Sequence, residues 1–198
     1  NKLNFFTRIY AKLHNYPGIP FWVLMPFRKV IKMVSNKVLP SYLAKSHNIT
    51  GVIEKGIVIS FTSFPARIDK VWMVVESLKN QSVLPEKIIL WLSKEQFINE
   101  NDIPLSLRNE VDELFEIRMV DEDIRSHKKY YYVMQEFPDK SFITCDDDVF
   151  YHPDFVKHLV ETSKRIPGAI ITHYARLITF DDNGNCLPYS QWKLTYKK

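Results

Sequence analysis

The chain has 198 residues, of which 45% are hydrophobic and 25% are charged, and its formal net charge is +4. These values are typical of a globular protein and exclude wholesale disorder, and two cysteines exclude a disulfide scaffold. The five glycines form no G-x-G-x-x-G, so the dinucleotide-binding fingerprint is absent. Gly51 and Gly56 have the spacing of a P-loop, but Ile57 stands where that motif has lysine.

Residues 1–50 carry eight basic residues and no Asp or Glu, whereas the rest of the chain has an excess of four acidic residues. Leu3, Phe6 and Tyr10 recur at helical spacing, residues 16–20 break that helix, and a second basic amphipathic stretch covers 28–38. This pattern predicts helices that lie on an anionic membrane surface. The alternative is that they pack on the rest of the protein. No nucleic-acid motif accompanies the charge, so we do not expect nucleic acid as a partner.

From residue 56 onward, short β-branched runs alternate with helical patterns. The predicted strands are 57–61, 87–92, 115–120, 141–145 and 169–172, and the predicted helices are 71–78, 105–114, 130–137 and 155–163. This alternation predicts an α/β fold, a mostly parallel Rossmann-like sheet with helices on both faces. The expected organisation is a helical segment over 1–50 and an α/β domain over 51–198.

Ligands of such sheets bind at the carboxyl ends of the strands, and the strongest signal lies there. Asp146, Asp147 and Asp148 follow the fourth predicted strand. Three adjacent carboxylates repel one another unless a cation lies among them, and the first and third are spaced to hold one Mn²⁺ or Mg²⁺ ion. Basic residues expected at the same edge, namely Arg67, Lys128 and Lys129, suit a diphosphate. The alternative is a solvated acidic turn before the next helix.

Other chemistries fit this sequence less well. A haloacid-dehalogenase-type phosphatase needs Thr or Val where Phe150 stands, and a sugar nucleotidyltransferase needs a glycine-rich loop after the first strand, which has no glycine here. The His and Cys residues match no zinc pattern.

Four ordered segments together resemble bacterial glycosyltransferases of the GT-A fold, more narrowly the family-2-like enzymes of capsule and lipopolysaccharide synthesis. They are residues 57–67, 84–93, 123–129 and 144–153, and the likeness covers about residues 56–192. The resemblance implies transfer of a sugar, with inversion, from a nucleotide-diphospho-sugar such as a UDP-sugar, with Mn²⁺ or Mg²⁺ as cofactor. The acceptor would be a growing surface polysaccharide or a lipid-linked glycan, and the enzyme would lie peripherally on the cytoplasmic face of the cell membrane.

The same resemblance assigns roles to individual residues. It implies that Lys128 faces the donor. Ser93 stands where many members of the family carry a carboxylate that reads the nucleobase, so the identity of the nucleobase stays open. The residues it places around the nucleotide sugar are Thr62, Ser63, Arg67, Lys128, Asp146 and Asp147, and those it places on the metal are Asp146 and Asp148.

No catalytic base can be nominated from the sequence. Asp181 and Asp182 come where the Asp182–Asn185 stretch predicts a hairpin turn. The chain begins without Met, and such enzymes continue past the point where it stops, so we expect a piece of a longer protein with its base beyond residue 198. The competing hypothesis is a non-catalytic module that binds nucleotide sugar or acts as a membrane scaffold.

Overall fold

The computed structural model describes residues 2–13, 16, 18–45 and 50–194. The chain forms two compact units, Asn1–Lys157 and His158–Lys198. The predicted boundary at residue 50 adjoins residues 46–49, which lie outside the described residues, as does Pro17 of the predicted helix break.

The first unit begins with two helices and then alternates strands and helices up to the start of its last helix. Its elements are α1 (Lys2–Lys12), α2 (Phe21–Leu43), β1 (Val52–Thr62), α3 (Ile68–Lys79), β2 (Val83–Ser93), α4 (Leu105–Arg108), β3 (Phe115–Val120), α5 (Lys128–Glu136), β4 (Ser141–Thr144) and α6 (Phe155–Arg165), which continues into the second unit. The second unit adds β5 (Arg176–Leu177) and β6 (Lys193–Leu194). Single turns of 3₁₀ helix cover Glu100–Asp102, Arg125–His127 and Tyr189–Gln191.

Strands β1 to β4 form one sheet in the order β3-β2-β1-β4, and every pair is parallel. The predicted α/β fold with a parallel sheet flanked by helices is therefore confirmed. Strands β2 and β3 follow one another on one side of β1, whereas β4 pairs with the other side of β1. This reversal of direction lies between β1 and β4, the position at which open α/β sheets bind their ligands.

Strand β1 begins five residues earlier than predicted because it contains a bulge. Its register against β2 shifts between Glu54 and Val58. Gly56 adopts φ 80° there, a conformation that glycine reaches without steric cost, and its N–H donates to Glu86 Oε2 over 2.9 Å.

Two predicted elements are wrong. Residues 169–172 form no strand, and Ile170, half of the apolar pair that suggested a buried strand, is 97% exposed. The second unit instead pairs β5 with β6 in a short antiparallel ribbon. Helix α4 ends at Arg108 instead of continuing to 114, because Asp112 Oδ1 accepts the N–H groups of Leu114 and Phe115 and turns the chain into β3.

The sheet is buried on both faces. On one face Val58, Ile89 and Trp91 pack with Val120 of β3 and Val133 of α5. The residues that alternate with them point to the other face and are fully buried as well: Ile59, Phe61, Ile88 and Leu90. This two-sided burial explains the continuous apolar runs of β1 and β2.

The N-terminal helices pack on the α/β unit through one of their faces. Leu3 of α1 and Leu39 and Leu43 of α2 form a buried cluster, against which Trp72, Met73 and Phe150 pack among others. The packing alternative raised by the sequence is therefore correct for these leucines.

Other apolar residues of α2 face outward. Trp22, Phe27 and Met33 are 75%, 60% and 67% exposed. No helix among the described residues combines the length and the apolar character that crossing a bilayer requires.

Candidate functional site

The site is built where β1 and β4 end side by side. Ser63 follows β1 directly, and the carboxylate run begins two residues after β4. Since Ser60 pairs with Thr144 in the parallel register, both loops leave the sheet at the same edge. Most residues of the predicted site therefore come together, as expected from the sequence.

Asp147 is the centre of this arrangement. Its carboxylate accepts a hydrogen bond from Ser63 Oγ over 2.6 Å and one from Arg67 Nη1 over 2.9 Å, and its side chain is 8% exposed. Arg67 Nη1 also lies 2.9 Å from Asp148 Oδ2. Hydrogen bonding to Asp147, with the charges of both aspartates, raises the pKa of Arg67 above its ordinary value. One guanidinium thus neutralises two of the three adjacent carboxylates.

A cleft of about 620 Å³ lies on one side of Asp147. It combines hydroxyl, amide, basic and acidic groups, a composition suited to a polar, charged ligand. Its lining residues are Thr62, Ser63, Phe64, Arg67, Gln96, Asp123, Arg125, Ser126, Lys128, Lys129, Cys145, Asp146 and Asp147.

Lys128 lines this cleft, but its ammonium is already paired. It donates to Asp123 Oδ1, and its side chain is only 2% exposed. Burial works against ionisation of Asp123, yet the bond from Lys128 and the Arg125 N–H hold the pKa of Asp123 below its usual range. The Lys128 ammonium is therefore held in place and neutralised by Asp123 within the cleft wall.

Asp146 faces the same cleft and is largely solvated. Its side chain is 63% exposed, and Lys129 Nζ donates to Oδ1 over 2.8 Å. Its backbone N–H donates to the hydroxyl oxygen of Tyr151 over 2.7 Å, which fixes the start of the loop. Cys145, just before it, is buried, and this burial raises the pKa of its thiol to about 12, so that the thiol remains protonated.

A second cavity, of about 350 Å³, lies on the other side of Asp147. Asp147 and Arg67 border both spaces, whereas Asp148 lines only this smaller cavity and Asp146 only the larger cleft. The side chain of Asp148 is 52% exposed.

The three aspartates thus differ in setting, and this bears on the predicted metal. Among the described residues, no three or more His, Cys, Asp or Glu side chains are grouped so as to hold an ion between them. The donor chemistry nevertheless fits a hard cation, because Mg²⁺ commonly takes only one or two carboxylates and completes its shell with phosphate oxygens and water. Asp146 and Asp148 are the exposed carboxylates of the run, but they line different spaces, so one ion held by both requires Asp148 to turn toward Asp146. Metal binding by this pair stays a prediction.

The other predicted residues lie in or near the cleft wall. The Thr62 hydroxyl donates to the carbonyl of Trp91 over 2.8 Å, which ties the ends of β1 and β2 together. Ser93 is fully buried, and its Oγ accepts the N–H of Glu95, so it is occupied in shaping the turn after β2.

Sequence reasoning nominated neither Gln96 nor Arg125, both of which line the cleft. The Gln96 amide donates to Asp123 Oδ2 over 2.7 Å. Arg125 is exposed and has φ 53°, a left-handed conformation that a side chain with a Cβ rarely adopts. The position of Arg125 in the loop after β3, two residues after Asp123 and shortly before two lysines, could have indicated a site residue. No sequence pattern indicates Gln96.

Asp181 of the second unit is held in a turn. The Asp181 carboxylate accepts the N–H groups of Asn183 and Asn185, and Phe180 bridges Cys186 in antiparallel fashion. These bonds lower the pKa of Asp181, with the N–H of Asn185 as the largest cause. The hairpin turn predicted here is confirmed.

No protein-family model matches the chain, and no curated protein sequence matches it.

Proposed function

We propose that the protein is a GT-A-type glycosyltransferase that binds a nucleotide-diphospho-sugar in the larger cleft. The observation that carries this proposal is the position of that cleft, at the end of β1 and β4 where the strand order reverses, with Asp146 and Asp147 in its wall. The resemblance of four sequence segments to family-2-like enzymes adds the reaction class. The donor we propose is a UDP-sugar, and the acceptor a surface polysaccharide or lipid-linked glycan.

The residues of the cleft can perform the binding steps of such a reaction. Arg125 supplies an exposed cation for a diphosphate, and Lys128 and Lys129 bring ammonium donors that are ion-paired with Asp123 and Asp146. Because these groups are anchored to β3, α5 and their connecting loop, they require little reorganisation when charge develops on the leaving nucleotide. The backbone strain at Arg125, roughly 1–2 kcal/mol, is consistent with a side chain held in place for a ligand.

Asp146 and Asp148 would hold Mn²⁺ or Mg²⁺, with the side chain of Asp148, which lines the smaller cavity, turned toward Asp146. When bound, this ion would supply Lewis-acid stabilisation of the diphosphate leaving group. The chain's own contribution is to keep Asp147 bonded to Ser63 and Arg67, so that the loop carrying its two neighbours has one conformation. We nominate no residue as the catalytic base.

Donor binding is tested by isothermal titration of the full chain with UDP-glucose, UDP-galactose and GDP-mannose in the presence of Mn²⁺. We expect one UDP-sugar to bind most tightly, and Arg125→Gln to weaken that binding about tenfold, as loss of one charge-assisted contact implies. Arg165→Gln removes an exposed arginine outside the cleft and should leave affinity unchanged. If none of the three donors binds, the proposed function is wrong.

Transfer is tested separately from binding. Radiolabelled donor is incubated with the chain and a lipid extract, and label in the lipid phase is counted. Transfer above the level of a heat-treated control supports the enzyme. Tight donor binding without transfer would favour a non-catalytic binding module instead. The transfer assay is repeated with any longer form of the protein before that conclusion is drawn.

A further inference from the structure

We propose that the smaller cavity beside α2 binds the phosphate headgroup of a membrane lipid. This assigns a ligand class to a space that the nucleotide does not occupy in the proposed function. The inference stands without the transferase chemistry, because it depends only on the walls of this cavity and on the outer face of α2.

Two cations of the cavity lining have no ion-pair partner among the residues that the structure describes. Lys32 of α2 and Lys70 of α3 line it, and within the described part of the chain neither forms an ion pair. The third cation, Arg67, is committed to Asp147 and Asp148, which are the acidic residues of the lining. An anion that enters this space therefore meets two uncommitted ammonium groups, which act as point charges toward phosphate oxygens.

The remaining lining suits the part of a lipid next to its phosphate. Asn36 lies four residues after Lys32, hence on the same face of α2, and its amide can donate to a phosphate or ester oxygen. Met73, Val74 and Phe150 supply apolar wall. A free phosphate ion would contact only the polar residues of this lining, whereas a phospholipid would contact the polar residues with its phosphate and the apolar residues with its glycerol and acyl groups.

The outer face of α2 explains why the ligand would be a lipid. Trp22, Val30 and Met33 fall on one side of the helix by its 3.6-residue period, and they are 75%, 52% and 67% exposed. The first 50 residues carry eight basic residues and no acid. Exposed aromatic and aliphatic side chains beside uncompensated positive charge complement an anionic bilayer. Successive residues of a helix point about 100° apart, so Lys32 lies at the edge of this face, on the side that lines the cavity.

The test is binding of the full chain to phosphatidylcholine vesicles that contain an equal fraction of either phosphatidic acid or diacylglycerol hemisuccinate. The second lipid carries its charge on a carboxylate and has no phosphate group. The cavity variant is Lys32→Gln with Lys70→Gln; the matched control is Lys29→Gln with Lys37→Gln, which removes two exposed charges from α2 outside the cavity lining. Thermal melting confirms that both variants are folded.

We expect the control to lose affinity for both vesicle types by the same factor. The cavity variant should lose roughly 30-fold on phosphatidic acid, the equivalent of two lysine contacts, and several-fold less on the hemisuccinate vesicles. Equal losses of the cavity variant on both lipids would overturn the proposal and leave a general electrostatic surface.

A second arm separates lipid phosphate from free phosphate. Short-chain phosphatidic acid, used below its micelle concentration, should raise the melting temperature of the parent chain but not of the cavity variant. Inorganic phosphate at the same concentration should have little effect. If inorganic phosphate stabilises the chain as well as the short-chain lipid does, the site recognises a free anion and the lipid assignment is wrong.

Discussion

Arg67 donates from Nη1 to Oδ1 of Asp147 over 2.9 Å, and this bond joins the start of α3 to the loop after β4. It separates the large cleft, which Asp146 lines, from the small cavity, which Asp148 lines. The pair therefore divides three adjacent carboxylates between two spaces. The structural and functional roles of the run follow from this division.

The Ser63–Asp147 hydrogen bond should contribute measurably to stability. Ser63 is buried and donates to a carboxylate that is 8% exposed, so Ser63→Ala should lower the free energy of unfolding by about 1.5–3 kcal/mol. Ser82 makes the same kind of bond to Asp154 at the surface, over 2.7 Å, and Ser82→Ala should cost less than about 1 kcal/mol. Urea denaturation of both variants measures the difference in the free energy of unfolding. Equal losses of stability would show that the buried Ser63–Asp147 hydrogen bond contributes no more than the surface bond.

Lys128 and Lys129 are neighbours with different expected roles in stability. Lys128→Met leaves the Asp123 carboxylate without its buried partner and should cost about 3 kcal/mol. Lys129→Met should lower the free energy of unfolding by less than about 1 kcal/mol, because its partner Asp146 is 63% exposed. Adding Asp123→Asn to Lys128→Met should restore part of the loss. A double variant no more stable than Lys128→Met alone would mean that the stranded charge is not the cause.

Glu76 should make the fold less stable as the pH rises. Burial, and then its hydrogen bond with Glu110, raises the pKa of Glu76 to about 8. Between the ordinary carboxyl range and pH 8 the folded protein keeps a proton that the unfolded chain has released, so the free energy of unfolding falls as pH increases through this window. The charge of Lys79 acts to lower the pKa of Glu76, whereas the charge of Asp112 acts to raise it.

The variant that tests this effect is Glu76→Gln, which imitates the protonated acid at every pH. Between pH 5 and pH 8.5 it should lose less stability than the parent, by on the order of 2 kcal/mol. Glu95→Gln alters an exposed acid and should follow the parent curve. Chemical denaturation at a series of pH values provides the comparison, and parallel curves for parent and Glu76→Gln would refute the assignment.

Much of the fold was predictable because its strands are buried on both faces. Residues 57–61 and 87–92 are predominantly apolar runs, and the structure places them within β1 and β2. The same signal misled at 169–172, where a short apolar run occurs without a neighbouring strand to pair with. Periodicity reports that a segment can be buried, but not whether a partner exists.

The candidate site was predictable to the level of which loops meet, since parallel strands deliver their ends to one edge. The pairing within it was not predictable. Arg67 and Asp147 are 80 positions apart, and nothing local determines that one guanidinium neutralises Asp147 and Asp148 while Lys129 takes Asp146. Gln96 joins the site only through its bond to Asp123, a contact that depends on how β2 and β3 pair.

The central claim is that the carboxylate run binds a nucleotide diphosphate together with a divalent cation. The most direct measurement is calorimetric titration of UDP into the chain, with Mn²⁺ and with chelator, for the parent, Asp146→Asn, Asp148→Asn and Asp139→Asn. Asp139 is exposed and lines neither space, so its variant controls for loss of one negative charge. We predict that UDP binds the parent and Asp139→Asn only with Mn²⁺, and that Asp146→Asn and Asp148→Asn each lose roughly tenfold or more in affinity. Equal UDP binding with chelator, or unchanged affinity in both site variants, would contradict the claim.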